Sequence, residues 1–303
     1  MKFRGIIPPV VTLFDETGEL DLDLNRRYLD ELLNHPIHGI LLAGSSGEFS
    51  SLTMAERKLY VSEMIKSINK RVPVLVGIGQ TALKDVLDLC SHAEENGADG
   101  VLAVNPYYWK LSDEQLYNYY STIAESTKLP VILYNIPSLT GQSLSVNLVK
   151  KLATNYLNIY GIKETVSELG QIREMITQVK EVREDFMVFS AFDEHLLPAL
   201  MIGSAGSING SSVFAPEVSV NLFEAYQQGN LAEAEIEHKM LSLLMDIYTM
   251  GPAFFTAMKE AVHQRWLPEK AGHRAPFDVY PENLSVQVST LLKLIEKKEG
   301  LKL

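Results

Sequence analysis

Short runs of consecutive apolar residues recur along this chain, and each is followed by a stretch of helical periodicity. The runs occupy 5–12, 39–43, 74–78, 101–104, 131–134, 159–162, 186–189 and 205–209, mostly about thirty residues apart. Within them apolar and polar positions do not alternate, which is the pattern of parallel strands buried on both faces. The intervening segments carry helix-start signals. Thr53-Met54-Ala55-Glu56 is a capping-box sequence, and Val61, Met64, Ile65 and Ile68 then fall at helical spacing. Ser112-Asp113-Glu114-Gln115 repeats the signal, and Gly97 and Gly100 mark a helix end and a strand start before Val101. Eight strand–helix units in series suit a closed barrel or a doubly wound sheet, and the even spacing predicts an α/β chain folded as a (β/α)8 TIM barrel.

After Pro216 the beat stops. Segments 221–228, 231–250 and 253–264 read as helices, interrupted by Gly229 and by Gly251-Pro252, and a further helix is expected over 282–298. The expectation is a barrel domain over 1–216 and a C-terminal helical appendage over 217–303, with no low-complexity linker between them.

Composition changes this picture only by exclusion. The 303 residues are 46% hydrophobic and 21% charged, with 38 acidic against 27 basic side chains and no basic block, which argues against a nucleic-acid partner. No run of 18 apolar residues and no signal-peptide pattern is present, so no membrane partner and a cytoplasmic location are expected. The single cysteine, Cys90, lies on the apolar stripe of Leu83, Val86 and Leu87, as a buried thiol would. The seven histidines form no H-E-x-x-H and no paired spacing near strand ends, so no metal site is expected.

Barrel enzymes carry their chemistry at the C-terminal ends of strands and in the loops that follow. Here those positions are Gly44-Ser45-Ser46-Gly47-Glu48, Asn105-Pro106-Tyr107-Tyr108-Trp109-Lys110, Tyr134-Asn135-Ile136-Pro137, Gly161-Ile162-Lys163-Glu164-Thr165 and Ser190-Ala191-Phe192-Asp193-Glu194. A barrel aims Lys163 inward near the mouth, where burial lowers a lysine pKa and frees the amine as a nucleophile toward carbonyls. The same position also suits a lysine that reaches water or pairs with Glu164. The glycine-flanked serine turn offers backbone N–H groups and hydroxyls to a carboxylate, although such turns are common as plain loops. Tyr134 and Tyr108 offer phenols for proton transfer, or simple packing. A further match, Gly77-Ile78-Gly79-Gln80-Thr81-Ala82, has the G-x-G-x-x-A form of a dinucleotide loop. Two strands precede it, however, and Asp99 stands before its strand rather than at its end.

Together these residues resemble the family of dihydrodipicolinate synthase and N-acetylneuraminate lyase, the pyruvate-handling class I aldolases. The resemblance rests on Gly5-Ile6-Ile7-Pro8-Pro9-Val10-Val11-Thr12, the Gly-Ser-Ser-Gly-Glu turn, Pro106-Tyr107-Tyr108, Tyr134-Asn135-Ile136-Pro137 and Gly161-Ile162-Lys163, all in family order. It implies that Lys163 forms an imine with pyruvate and that Tyr134 shuttles protons. It implies that Ser45 links Tyr134 to Tyr108, which a neighbouring subunit contributes in many members. By the same resemblance the N–H groups of Ser45 and Ser46 hold the pyruvate carboxylate and Ile208 offers its carbonyl. No cofactor is implied, and the usual assembly is a homotetramer.

One departure points within the family. Dihydrodipicolinate synthases carry an arginine two residues after the proline of Tyr-Asn-x-Pro, to grip the carboxylate of aspartate semialdehyde. Leu139 stands there and cannot replace a charge-assisted pair. Asp193 and Glu194 after the seventh strand, with Thr165 beside the lysine, suit the hydroxyls of a sugar acid. The chain is most similar to the 2-keto-3-deoxy-gluconate aldolase members, which implies pyruvate and a small hydroxyaldehyde as partners. Dihydrodipicolinate synthesis, a 2-keto-3-deoxy acid dehydratase, a non-catalytic pyruvate binder and a Rossmann-type dehydrogenase remain as alternatives.

Overall fold

The computed structural model describes residues 3–270 and 272–296. Eight strands alternate with helices: β1 (Gly5–Ile6), α1 (Leu22–Leu32), β2 (Ile40–Leu42), α2 (Met54–Ile68), β3 (Val74–Gly77), α3 (Leu83–Glu95), β4 (Gly100–Val104) and α4 (Asp113–Ser126). The chain continues through β5 (Val131–Asn135), the single turn α5 (Pro137–Thr140), α6 (Val146–Asn155), β6 (Ile159–Glu164), α7 (Leu169–Lys180), β7 (Met187–Ser190), α8 (Leu196–Met201) and β8 (Gly206–Ser207). Four helices follow: α9 (Pro216–Gln227), α10 (Leu231–Leu244), α11 (Phe254–Trp266) and α12 (Leu284–Glu296).

The strands form one parallel sheet in the order β1-β8-β7-β6-β5-β4-β3-β2. Its two edges also meet, because Leu41 N donates to Pro8 O and Val10 N donates to Leu41 O. The expected first strand is cut short at Ile6, since neither Pro8 nor Pro9 has an N–H to give a ladder.

Both capping boxes read from the sequence are present, with Thr53 accepting from Glu56 N and Ser112 from Gln115 N. Side chains alternate across each strand. Leu41, Leu75, Leu102, Ile132 and Phe189 pack together on the concave inner face, whereas Ile40, Val101, Leu133 and Ile162 join the larger core beneath the helices. Parallel strands covered on both sides explain why the runs read as continuously apolar.

Two expectations about the C-terminal region shift. Helix α9 begins at Pro216, whose fixed φ suits the first helical position, and it packs on β1 and α8. The expected helix over 221–228 thus starts earlier, and the expected 216/217 boundary falls at the start of a helix that packs on the strands and on α10 alike. The expected helix over 231–250 ends at Leu244 and tightens into a 3-10 segment, Met245–Thr249. Helix α12 ends at Glu296, and residues 297 and 298 of the expected last helix lie outside the described residues. Among the described residues no single helix is long and apolar enough to cross a membrane. Cys90 is buried.

Candidate active site

Lys163 is the fifth residue of β6, and the register places it beside Tyr134 of β5 and Phe189 of β7. An irregularity where β5 meets β6 pairs Ile132 with Gly161, so that Lys163 shares the inner face with Tyr134. Glycine is required there because a Cβ at 161 would run into the Met187 carbonyl. Lys163 is 4% exposed, and its Nζ sits 4.4 Å from the centre of the Tyr134 ring. The neighbouring Glu164 points to the opposite face. There it accepts from Asn135 Nδ2 at 2.8 Å, so the lysine–glutamate pairing open from sequence does not form. Burial pushes the Glu164 carboxyl up to about 8, against the smaller pull of the Asn135 hydrogen bond.

The serine turn closes over this pair. Gly47 N donates to Gly44 O and Glu48 N to Ser45 O, which leaves the Ser45 and Ser46 N–H groups outside the turn's own bonding. Thr12 Oγ1 braces the turn by donating to Gly47 O at 2.7 Å. Ala43 and Glu48, at its two ends, are both left-handed non-glycine residues, a strain that surrounding contacts must hold. One such contact is a fully buried ion pair between Glu48 and Lys259 of α11. Desolvation raises the Glu48 pKa and lowers that of Lys259, each opposed by the partner's charge. Ser45 Oγ lies 3.3 Å from Tyr134 Oη, within reach of a hydrogen bond.

A cavity of about 120 Å3 is lined by Ser45, Ser46, Tyr134, Lys163, Thr165 and Ile208, with Leu139 at its wall. Thr165 Oγ1 is buried without a protein partner. The cavity opens into a larger one of about 510 Å3, whose lining it shares at Ser45, Ile136, Leu139, Tyr248 and Phe254. The outer cavity is walled by Phe49, Tyr107, Ala253, Phe255 and Phe277, and among the described residues no charged side chain lines it.

Three expected site residues are not brought here. Tyr108 is 79% exposed, stacked edge-on against Trp109, and within one chain it does not join Ser45 and Tyr134. Its neighbour Tyr107 lines the outer cavity instead. Asp193 is completely buried, accepting from Ser211 N and Oγ, Asn209 Nδ2 and Tyr248 Oη. A carboxylate so fully engaged inside the protein has no reach toward a substrate hydroxyl. Glu194 is exposed and lines neither cavity. The proposed sugar-binding acids are thus a structural anchor and a surface residue.

The sequence reading missed Tyr248, Phe254 and Lys259, all from the C-terminal helices. Pro252-Ala253-Phe254-Phe255 was legible as a helix start, but nothing in its pattern tied it to a strand end. The G-x-G-x-x-A match also resolves. The carbonyls of Gly77 and Gly79 accept from buried Arg57 at 2.9 and 2.7 Å, and a Cβ at Gly77 would strike the Ala43 carbonyl. These glycines serve close packing and an internal arginine. Among the described residues no group of three or more His, Cys, Asp or Glu side chains could hold a metal ion.

Comparison with known proteins adds names to this geometry. Residues 2–295 match the dihydrodipicolinate synthetase family. YagE of Escherichia coli K12, provisionally named a 2-dehydro-3-deoxy-D-gluconate aldolase, is 40% identical over 294 residues, covering 97% of each chain. YjhH of the same organism, provisionally named a 2-dehydro-3-deoxy-D-pentonate aldolase, is 40% identical over 291 residues, covering 96% of this chain and 97% of its own. The crystal structure of YagE in complex with pyruvate superposes with a TM-score of 0.93 at 39% identity, covering 98% of this chain and 99% of that one.

Proposed function

This chain belongs to the dihydrodipicolinate synthetase family, and from that premise we propose that it is a Schiff-base aldolase interconverting a 2-keto-3-deoxy sugar acid with pyruvate and a short hydroxyaldehyde. The observation that carries the reading is the Lys163 amine beside Tyr134 and Ser45 at a cavity the size of a three-carbon keto acid.

In the cleavage direction the Lys163 amine adds to the C2 carbonyl of the keto acid, and loss of water, with the proton of the Tyr134 hydroxyl, leaves an iminium and a tyrosinate that regains its proton when the imine is finally hydrolysed. Tyr134 takes the proton of the C4 hydroxyl as the C3–C4 bond breaks, and the bonding pair moves into the iminium to form an enamine. The aldehyde leaves. Tyr134 returns the proton to C3, and water hydrolyses the imine to release pyruvate and the free lysine. A positioned phenol in a water-poor site suits both transfers. Ser45 orients the phenol, and the Ser45 and Ser46 N–H groups hold the carboxylate. Thr165 Oγ1, buried and without a protein partner, is placed to bond the substrate.

The uncharged outer cavity supports a neutral acceptor. Aspartate semialdehyde would bring a carboxylate with no cation to meet it, and Leu139 stands where the family's synthases carry arginine. We read the fold as a closed (β/α)8 barrel with a helical appendage, working in the cytoplasm as a homotetramer. In that assembly the exposed Tyr108 of one subunit reaches the Ser45–Tyr134 pair of the next.

Borohydride reduction in the presence of pyruvate, followed by peptide mapping, tests the imine. The adduct is expected on Lys163 and absent from Lys163→Ala, with folding unchanged by circular dichroism. An adduct elsewhere, or its persistence in the variant, would remove the assignment.

A further inference from the structure

We propose that this site also joins pyruvate to aromatic aldehydes, giving 4-aryl-4-hydroxy-2-keto acids, and cleaves them in reverse. The inference rests on the imine chemistry proposed above and concerns the second half of the reaction. Its basis is the wall of the outer cavity. Phe254, Phe255 and Phe277 form a chain of ring contacts, with centroids 5.6 and 4.9 Å apart, and Tyr248 joins it at 6.2 Å. Phe49 lines the same cavity, with Tyr107 edge-on to it. Arenes bind such surfaces through offset and edge contacts.

The polar inventory of the same wall is short. The Tyr248 hydroxyl is committed to Asp193 Oδ2 and Gly210 N, and that of Thr140 to the Ile136 and Gln142 carbonyls. Ser45 is engaged with Tyr134. Among the described residues this leaves the Ser50 and Tyr107 side chains without a hydrogen bond inside the chain. Two free hydroxyls suit an aldehyde with two or three carbons. Beyond these hydroxyls and the uncapped Phe254 and Phe255 N–H groups that open α11, a longer polyol would find no side-chain partner among the described residues, whereas an arene sheds little water and meets a surface of its own kind. The outer cavity, at about 510 Å3 against about 120 Å3 for the inner one, has room for a six-membered ring.

The step needs no further reagent. The enamine carbon attacks the aldehyde carbon, the new alkoxide takes a proton from Tyr134, and water hydrolyses the resulting iminium to free Lys163. Pyruvate and one aldehyde become one hydroxy keto acid.

The test uses the full chain with pyruvate and either benzaldehyde or glyceraldehyde, following product by chromatography and imine by borohydride trapping. Benzaldehyde is expected to give product that disappears in Lys163→Ala, with kcat/KM within about tenfold of glyceraldehyde. Phe277→Ser is expected to shift the benzaldehyde-to-glyceraldehyde ratio of kcat/KM about tenfold toward glyceraldehyde. That ratio does not depend on the folded fraction, and Leu139→Ser, at a 56% exposed position, gives a second measure of it. Trapping and glyceraldehyde turnover without aryl product, or an unmoved ratio in both variants, would overturn the inference and leave the aldolase reading intact. Failure of trapping would instead remove the aldolase reading.

Discussion

Lys163 and Tyr134 are register partners on adjacent strands, with the lysine Nζ 4.4 Å from the centre of the tyrosine ring. Because both side chains stand on the inner face of the same pair of strands, their separation is set by the backbone ladder rather than by loop conformation. Rigid elements hold reacting groups more closely than loops do.

Tyr134→Phe keeps the ring beneath Lys163 and removes only the hydroxyl that faces Ser45. The variant is expected to form the pyruvate adduct with near-normal yield and to lose turnover by about 10²-fold or more. Single-turnover trapping alongside steady-state assay separates the two effects. A kcat near wild type would mean that another group moves the proton.

The correction at Asp193 and Glu194 predicts opposite phenotypes for adjacent acids. Asp193→Ala strands the donors of Ser211, Asn209 and Tyr248 in a buried site. It should cost about 3 kcal/mol or more of stability, read in urea denaturation. Glu194→Gln should change stability by less than about 0.5 kcal/mol and leave sugar-acid KM within about twofold. A large KM increase for Glu194→Gln would restore the sugar-binding role.

Lys259 reaches from α11 to Glu48 at the end of the serine turn. Lys259→Met leaves a buried carboxylate uncompensated, for an expected loss of about 3–5 kcal/mol. The double variant Glu48→Gln with Lys259→Met should recover at least half of that loss, since neither position then carries a buried charge. Its pyruvate KM should stay raised, because the left-handed Glu48 position has lost its tether. Additive losses in the double-variant cycle would show that the two residues act separately.

Glu164 makes stability depend on pH in a defined direction. Its carboxyl titrates near 8 in the fold against an ordinary 4.5, so between these values the folded state holds a proton that the unfolded state has lost. Stability is then full below about pH 4.5 and falls as pH rises toward 8, by an amount on the order of 4 kcal/mol. Glu164→Gln keeps a neutral group and should flatten that slope, ending more stable than wild type at pH 8. Urea midpoints at pH 5, 6.5 and 8 measure it, and parallel slopes for the two proteins would rule the group out.

Much of this molecule was legible in one dimension. The eight apolar runs, the two capping boxes and the position of Lys163 at a strand end follow from local rules, because strand burial and helix capping involve neighbours in the chain. That Ser45, Ser46, Tyr134, Thr165, Ile208 and Leu139 would line one cavity was legible too, since strand ends in such a fold converge on one face. Only the tertiary structure decided which way Asp193 turned, which of Tyr107 and Tyr108 faced the cavity, and that α11 closes the site with Phe254 and buttresses it with Lys259. These depend on contacts between segments far apart in sequence, and no periodicity records which distant donor a buried carboxylate will meet.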